Sequence, residues 1–199
     1  GKDNINAEGY ENLLLGSENS NTAGNENVLM GTKNKNGAGG ENVLIGVENE
    51  NITGQENILI GGKNTNTAGK ENILIGGENK NLIGEKNIVM GAINVNSGNR
   101  NLVVGNDMKN TGEKSIALGN SVSNIGDRNF VAGNNITNTG FANIVIGNAI
   151  KVKALAATTI AMGNGVIVGA GAATTIAMGN GVIVGAGAAN AVAMGNGVA

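Results

Sequence analysis

The chain has 199 residues with 35 glycines, no proline, no cysteine, no histidine and a formal charge of −2. Without histidine or cysteine it lacks an imidazole base, a thiolate nucleophile and the usual zinc donors, and the near-neutral charge gives no pull toward nucleic acid or an acidic membrane. So much glycine and 2% aromatic residues would suit a disordered linker, yet a 40% hydrophobic fraction with a strict period points to a repeat protein.

The repeat unit is typified by Glu56-Asn57-Ile58-Leu59-Ile60-Gly61. Its closing glycine returns at Gly16, Gly31, Gly46, Gly61, Gly76, Gly91, Gly105, Gly119, Gly133, Gly147, Gly163, Gly179 and Gly195. The spacing is 15 residues at first (16 to 31), then 14 (91 to 105), then 16 (147 to 163), which gives blocks 1–85, 86–141 and 142–199 within one expected domain, 1–199. Repeats this short cannot hold two helices, so the sequence predicts an all-β parallel solenoid of about thirteen coils, each with two short strands and two turns. At about 4.8 Å per coil the thirteen would span roughly 60 Å. Gly1, Asn4, Asn6 and Gly9 already match Gly16, Asn19, Asn21 and Gly24, so the chain is expected to begin within a repeat, as a fragment. No run of about 18 apolar residues occurs, and no membrane contact is expected within it.

Along the first strand of each coil, Ile58 and Ile60 face one way and Leu59 the other. Both faces are apolar, and one solenoid has a single interior, so one stripe must be covered by a partner, most simply another copy. Ile58 and Ile60 are expected inside the coil. The intersubunit stripe is then Leu14, Leu29, Leu44, Leu59, Leu74, Val89, Val103, Ala117, Val131, Val145, Ala161, Ala177 and Ala193. In the second strand Asn64 and Asn66 recur as columns and are expected to point inward as amide ladders. Their later replacement by Met108, Val122, Ile136, Ile150, Val152, Val168 and Val184 supports that, since a surface column has no reason to turn aliphatic. A further asparagine column, Asn106 to Asn196, begins where the first gives out. Glycines such as Gly54, Gly69, Gly112 and Gly140 mark the second turn and predict positive φ there.

Each coil opens on a charge, Glu11 through Glu71 and then Lys86, Arg100, Lys114 and Arg128. These rows read either as a solvated, self-screened surface or as a docking face. Three positions break the polar columns: Ile93 and Val95 stand where earlier coils carry Glu78 and Lys80, and Phe141 follows the turn glycine. They are the candidate receptor-binding residues.

Lys114-Ser115-Ile116-Ala117-Leu118-Gly119-Asn120 and Thr159-Ile160-Ala161-Met162-Gly163-Asn164-Gly165 resemble the Asn-Ser-Val-Ala-Ile-Gly repeat of YadA-like heads in trimeric autotransporter adhesins. The resemblance extends over 1–199. It implies a left-handed parallel β-roll, three chains side by side as a homotrimer, held at a Gram-negative surface by outer-membrane anchoring regions outside this fragment. It also implies a virulence role in which the head binds a CEACAM-type host glycoprotein or a collagen-type matrix protein. The first five coils depart from the pattern in carrying Leu at the usual Ala position.

An adhesin head without enzymatic activity or cofactor is therefore the expected function, with a passive spacer or virion fibre segment as the alternative. β-Helical acyltransferases use six-residue repeats and a catalytic histidine, which are absent. Calcium rolls need regularly spaced aspartates, whereas only Asp3, Asp107 and Asp127 occur, and no metal site is expected. Stacked threonines of the kind an ice-binding face uses are confined to Thr158, Thr159, Thr174 and Thr175, so ice binding is not expected.

Overall fold

Residues 1–199 are described by a computed structural model, and every regular element in it is a β-strand. The chain is a parallel β-solenoid of about thirteen turns and divides into two compact units, Gly1–Arg100 and Asn101–Ala199. In the first unit, strands such as Val43–Val47, Ile58–Gly62 and Ile73–Gly77 alternate with shorter ones such as Glu50–Thr53, Thr65–Asn66 and Lys80–Asn81. Each pairs in parallel with its equivalent one coil away, placing Leu44, Leu59 and Leu74 in one row. The second unit runs likewise from Leu102–Asn106 to Val192–Asn196. In two of its 14-residue coils the two strands fuse into the single strands Ile116–Asn124 and Phe130–Asn138, while the coil before them keeps Leu102–Asn106 and Lys109–Asn110 separate.

The interior is the reverse of the expected one. Leu29, Leu44, Leu59, Leu74, Val89, Val103, Ala117, Val131, Val145, Ala161 and Ala177 are wholly buried within the single chain, and Leu14 and Ala193 in the terminal coils are half-buried. The stripe assigned to an intersubunit contact is the core, while Ile58 and Ile60 face outward. The physical reason lies one residue before the strand. Asn57 has the same strand parity as Leu59 and Gly61, and it belongs to a third buried asparagine column. Where that column changes inside the stack, at Ser115, Thr159 and Thr175, it keeps a hydrogen-bonding oxygen, and Ala191 in the terminal coil is the exception.

The Asn64 and Asn66 columns do point inward, both fully buried. Asn66 Nδ2 donates to Asn51 Oδ1 at 2.8 Å, and Asn81 Nδ2 donates to Asn66 Oδ1 at 2.9 Å. In the other two columns the side-chain oxygen also accepts a backbone N–H of the next coil, as from Asn64 to Asn49 at 3.1 Å and from Asn57 to Asn42 at 3.0 Å. These N–H groups sit beside the corners, where the ladder of backbone bonds is interrupted, and the amides close the gap. No buried side-chain nitrogen or oxygen is left without a partner. In the fused strands Val122 pairs directly with Ile136, and from Met108 onward this column is aliphatic in fused and unfused coils alike.

The glycine columns have a cause that φ alone does not supply. Gly61 has φ 117, and a Cβ there would run into the carbonyl oxygen of Gly76 in the next coil. Gly112 and Gly140 lack the expected positive φ, yet a Cβ on either would meet the carbonyl of Gly126 or Ala156. Close stacking of coils, rather than the turn alone, demands glycine.

Candidate interaction surface

With Leu59 inside, strand alternation leaves an aliphatic pair outside in every coil. In the first unit the ranks are Leu13 with Leu15, Val28 with Met30, Val43 with Ile45, Ile58 with Ile60, Ile73 with Ile75, and Ile88 with Met90. The parallel register aligns them, one rank per coil, about 4.8 Å apart. Neighbouring ranks shield one another's flanks, so the side chains are half-buried to exposed, for example Ile60 at 36%. Within the second unit the equivalent ranks include Ile116 with Leu118 and Ile160 with Met162, and the next outward position is asparagine. These asparagines form an exposed ladder, with Asn106 Nδ2 donating to Asn120 Oδ1 at 3.2 Å and Asn120 to Asn134 at 3.0 Å.

The charged rows occupy the corners. Glu56 and Lys63 both have φ 57, the left-handed region that L-residues with long side chains adopt only at a cost. Their N–H groups bond to the preceding coil, at 3.1 Å to the Gly40 carbonyl and 2.9 Å to that of Val47. The carboxylates point to solvent and are only locally neutralised, by Lys33 to Glu18 at 3.8 Å and Lys86 to Glu71 at 3.6 Å. Half-exposed pairs of this length add little stability. Glu18, Lys33, Lys35, Glu48, Asn49 and Glu50 line a shallow open depression of mixed charge.

Ile93 lies at such a corner, with φ 59 and 58% exposure, and Val95 follows on the same coil. Val95 pairs in register with Lys80, so Leu82 sits diagonally to it on the preceding coil, with Ile83 beyond. Leu82 and Ile83 are 42% and 60% exposed, so the coil before Ile93 adds two exposed apolar residues to the outlier seen in the sequence, of which Val95 itself is half-buried. Comparing Leu82 and Ile83 with Thr67 and Ala68 one repeat earlier would have found them. Phe141 lies in the second unit, exposed on the turn after Gly140, its backbone bridged to Ala157.

No curated protein matches the chain. A family model described as a grass antifreeze beta roll matches residues 44–147, from the coil closed by Gly46 to that closed by Gly147. That match covers more than half of the 199 residues, and the chain belongs to the grass antifreeze beta-roll family.

Proposed function

We propose that the chain is a non-enzymatic adhesin head of the YadA-like kind. On this reading it assembles as a homotrimer at a bacterial cell surface and binds a CEACAM-type host glycoprotein or a collagen-type matrix protein. The observation that supports it is the outward aliphatic face. Twelve Leu, Val, Ile and Met side chains of the first unit, from Leu13 to Met90, form one uninterrupted row of ranks that the chain itself leaves uncovered. Apolar patches much beyond a few hundred Å² are uncommon on soluble monomers, and flat sheet faces of this kind are normally covered by a partner. Identical copies present identical ranks at the same spacing. The number three rests on the resemblance of the repeats to YadA-like heads. For the receptor, exposed Leu82, Ile83 and Ile93, with half-buried Val95 beside Leu82, offer apolar anchors outside the assembly face. Light scattering on the purified chain tests the assembly, with three times the 19.8 kDa chain mass expected. Surface plasmon resonance against immobilised collagen and a CEACAM-type ectodomain tests the adhesion, and binding to neither rules it out.

A second reading has its own support in the family match. An evenly ranked, flat, apolar face without charge is also a surface on which ordered water can be held, and the matched family carries antifreeze in its description. On that reading the chain is a monomer that produces thermal hysteresis. A trimer without hysteresis selects adhesion, and a monomer with it selects ice binding.

A further inference from the structure

Two tripeptides in the chain have the form Asn-x-Thr, Asn51-Ile52-Thr53 and Asn135-Ile136-Thr137. The fold treats them oppositely. Asn51 is in the buried ladder with no exposed surface; its Nδ2 donates to Asn36 Oδ1 at 2.8 Å, and its Oδ1 accepts from Asn66 Nδ2 at 2.8 Å. Thr53 Oγ1 is also engaged, donating to the Thr67 carbonyl at 3.0 Å. Asn135 instead occupies a corner, at φ 52, and is exposed. The side chain of Ile136 is buried beneath it, which turns Asn135 and Thr137 to the solvent side together. No side-chain hydrogen bond within the chain holds the Asn135 amide.

We propose that Asn135 is the N-glycan acceptor of this protein in its folded state, modified by a transferase that takes a hexose from a nucleotide-activated donor, and that Asn51 is closed to the same reaction. An amide nitrogen is a poor nucleophile because its lone pair is delocalised. A transferase must therefore grip and twist the whole side chain while holding the Thr hydroxyl, and both groups must be free. In the transfer, Asn135 Nδ2 bonds to the sugar C1, the bond from C1 to the phosphate oxygen breaks, the nucleoside diphosphate leaves with the electron pair, and Nδ2 gives up one proton. The acceptor lies at the corner rather than among the outward ranks of Phe130 and Ala132, so a sugar there leaves that face open. The inference is independent of the adhesion and ice-binding readings.

The test incubates the folded chain with UDP-glucose and a soluble N-glycosyltransferase specific for Asn-x-Ser/Thr, read by intact mass and peptide mapping. One hexose is expected on Asn135, lost in Asn135→Gln and Thr137→Ala and kept in Thr137→Ser. The urea-unfolded chain, diluted into the same reaction, is expected to gain a second hexose on Asn51. A folded chain that stays unmodified, one modified at Asn51, or a hexose that survives Asn135→Gln each overturns the proposal.

Discussion

At Ile93 the backbone takes the left-handed setting that Glu78 and Lys63 take one and two coils earlier, but with a β-branched side chain, the residue class least suited to it. A left-handed L-residue costs about 1–2 kcal/mol, and with 58% of Ile93 in solvent little burial offsets that cost. Ile93→Asn is therefore expected to raise stability by about 0.5–1 kcal/mol, visible as a higher urea midpoint at unchanged slope. A lower midpoint would show that Ile93 stabilises the fold by packing. Asn66 is the opposite case, a polar residue with no freedom. Its amide donates to Asn51 and to the Thr53 carbonyl at 3.3 Å and accepts from Asn81 and from Asn72 at 3.3 Å, which uses its whole capacity. Asn66→Leu orphans groups on both neighbouring coils, at about 1–3 kcal/mol for each left unsatisfied. A clear fall in melting temperature is expected, and an unchanged one would mean that the ladder is replaceable by apolar packing.

Within a coil, the period, the parallel register and the inward Asn64 and Asn66 columns were legible in the sequence because each repeats at a fixed spacing. Which apolar stripe faces in was not. A five-residue strand with Ile on one side and Leu on the other has no polarity contrast, and the deciding residue, Asn57, stands outside the apolar run and reads as part of the turn. Core volume offered a second clue. Where the Leu59 column shrinks to Ala161 and Ala177, the inward second-strand positions change from asparagine to Val166, Val168, Val182 and Val184, a compensation that only residues sharing one interior would show. The glycine columns were visible, but their cause is contact between coils, which a linear sequence does not display. Gly61→Ala is accordingly expected to cost more than the roughly 1 kcal/mol of an ordinary unfavourable φ, since its Cβ meets the Gly76 carbonyl, which the sheet holds fixed. A loss of 2 kcal/mol or more in chemical denaturation is the expected outcome, and a near-neutral effect would mean that the coils can part locally.

For the molecule as a whole, the corrected interior changes which substitutions separate folding from assembly. Leu59 and Leu74 have no exposed surface, so Leu59→Lys with Leu74→Lys places two unpaired ammonium groups inside the coil. Isolated buried charges cost several kcal/mol each, and the double variant is expected to lose its β-sheet circular dichroism rather than dissociate intact. Ile60 and Ile75, one residue further along, face outward, and lysine there can reach water in the single chain. Ile60→Lys with Ile75→Lys should therefore keep the β-sheet spectrum. If identical copies cover that face, the same substitutions place like charges in the contact, and the scattering mass should fall from three times 19.8 kDa to one chain. If the face instead holds ordered water, the wild-type mass is already one chain, the variant's mass is unchanged, and thermal hysteresis is what disappears. A wild-type monomer whose outward variant changes neither quantity would leave the aliphatic ranks without either role and would defeat both readings of the face together.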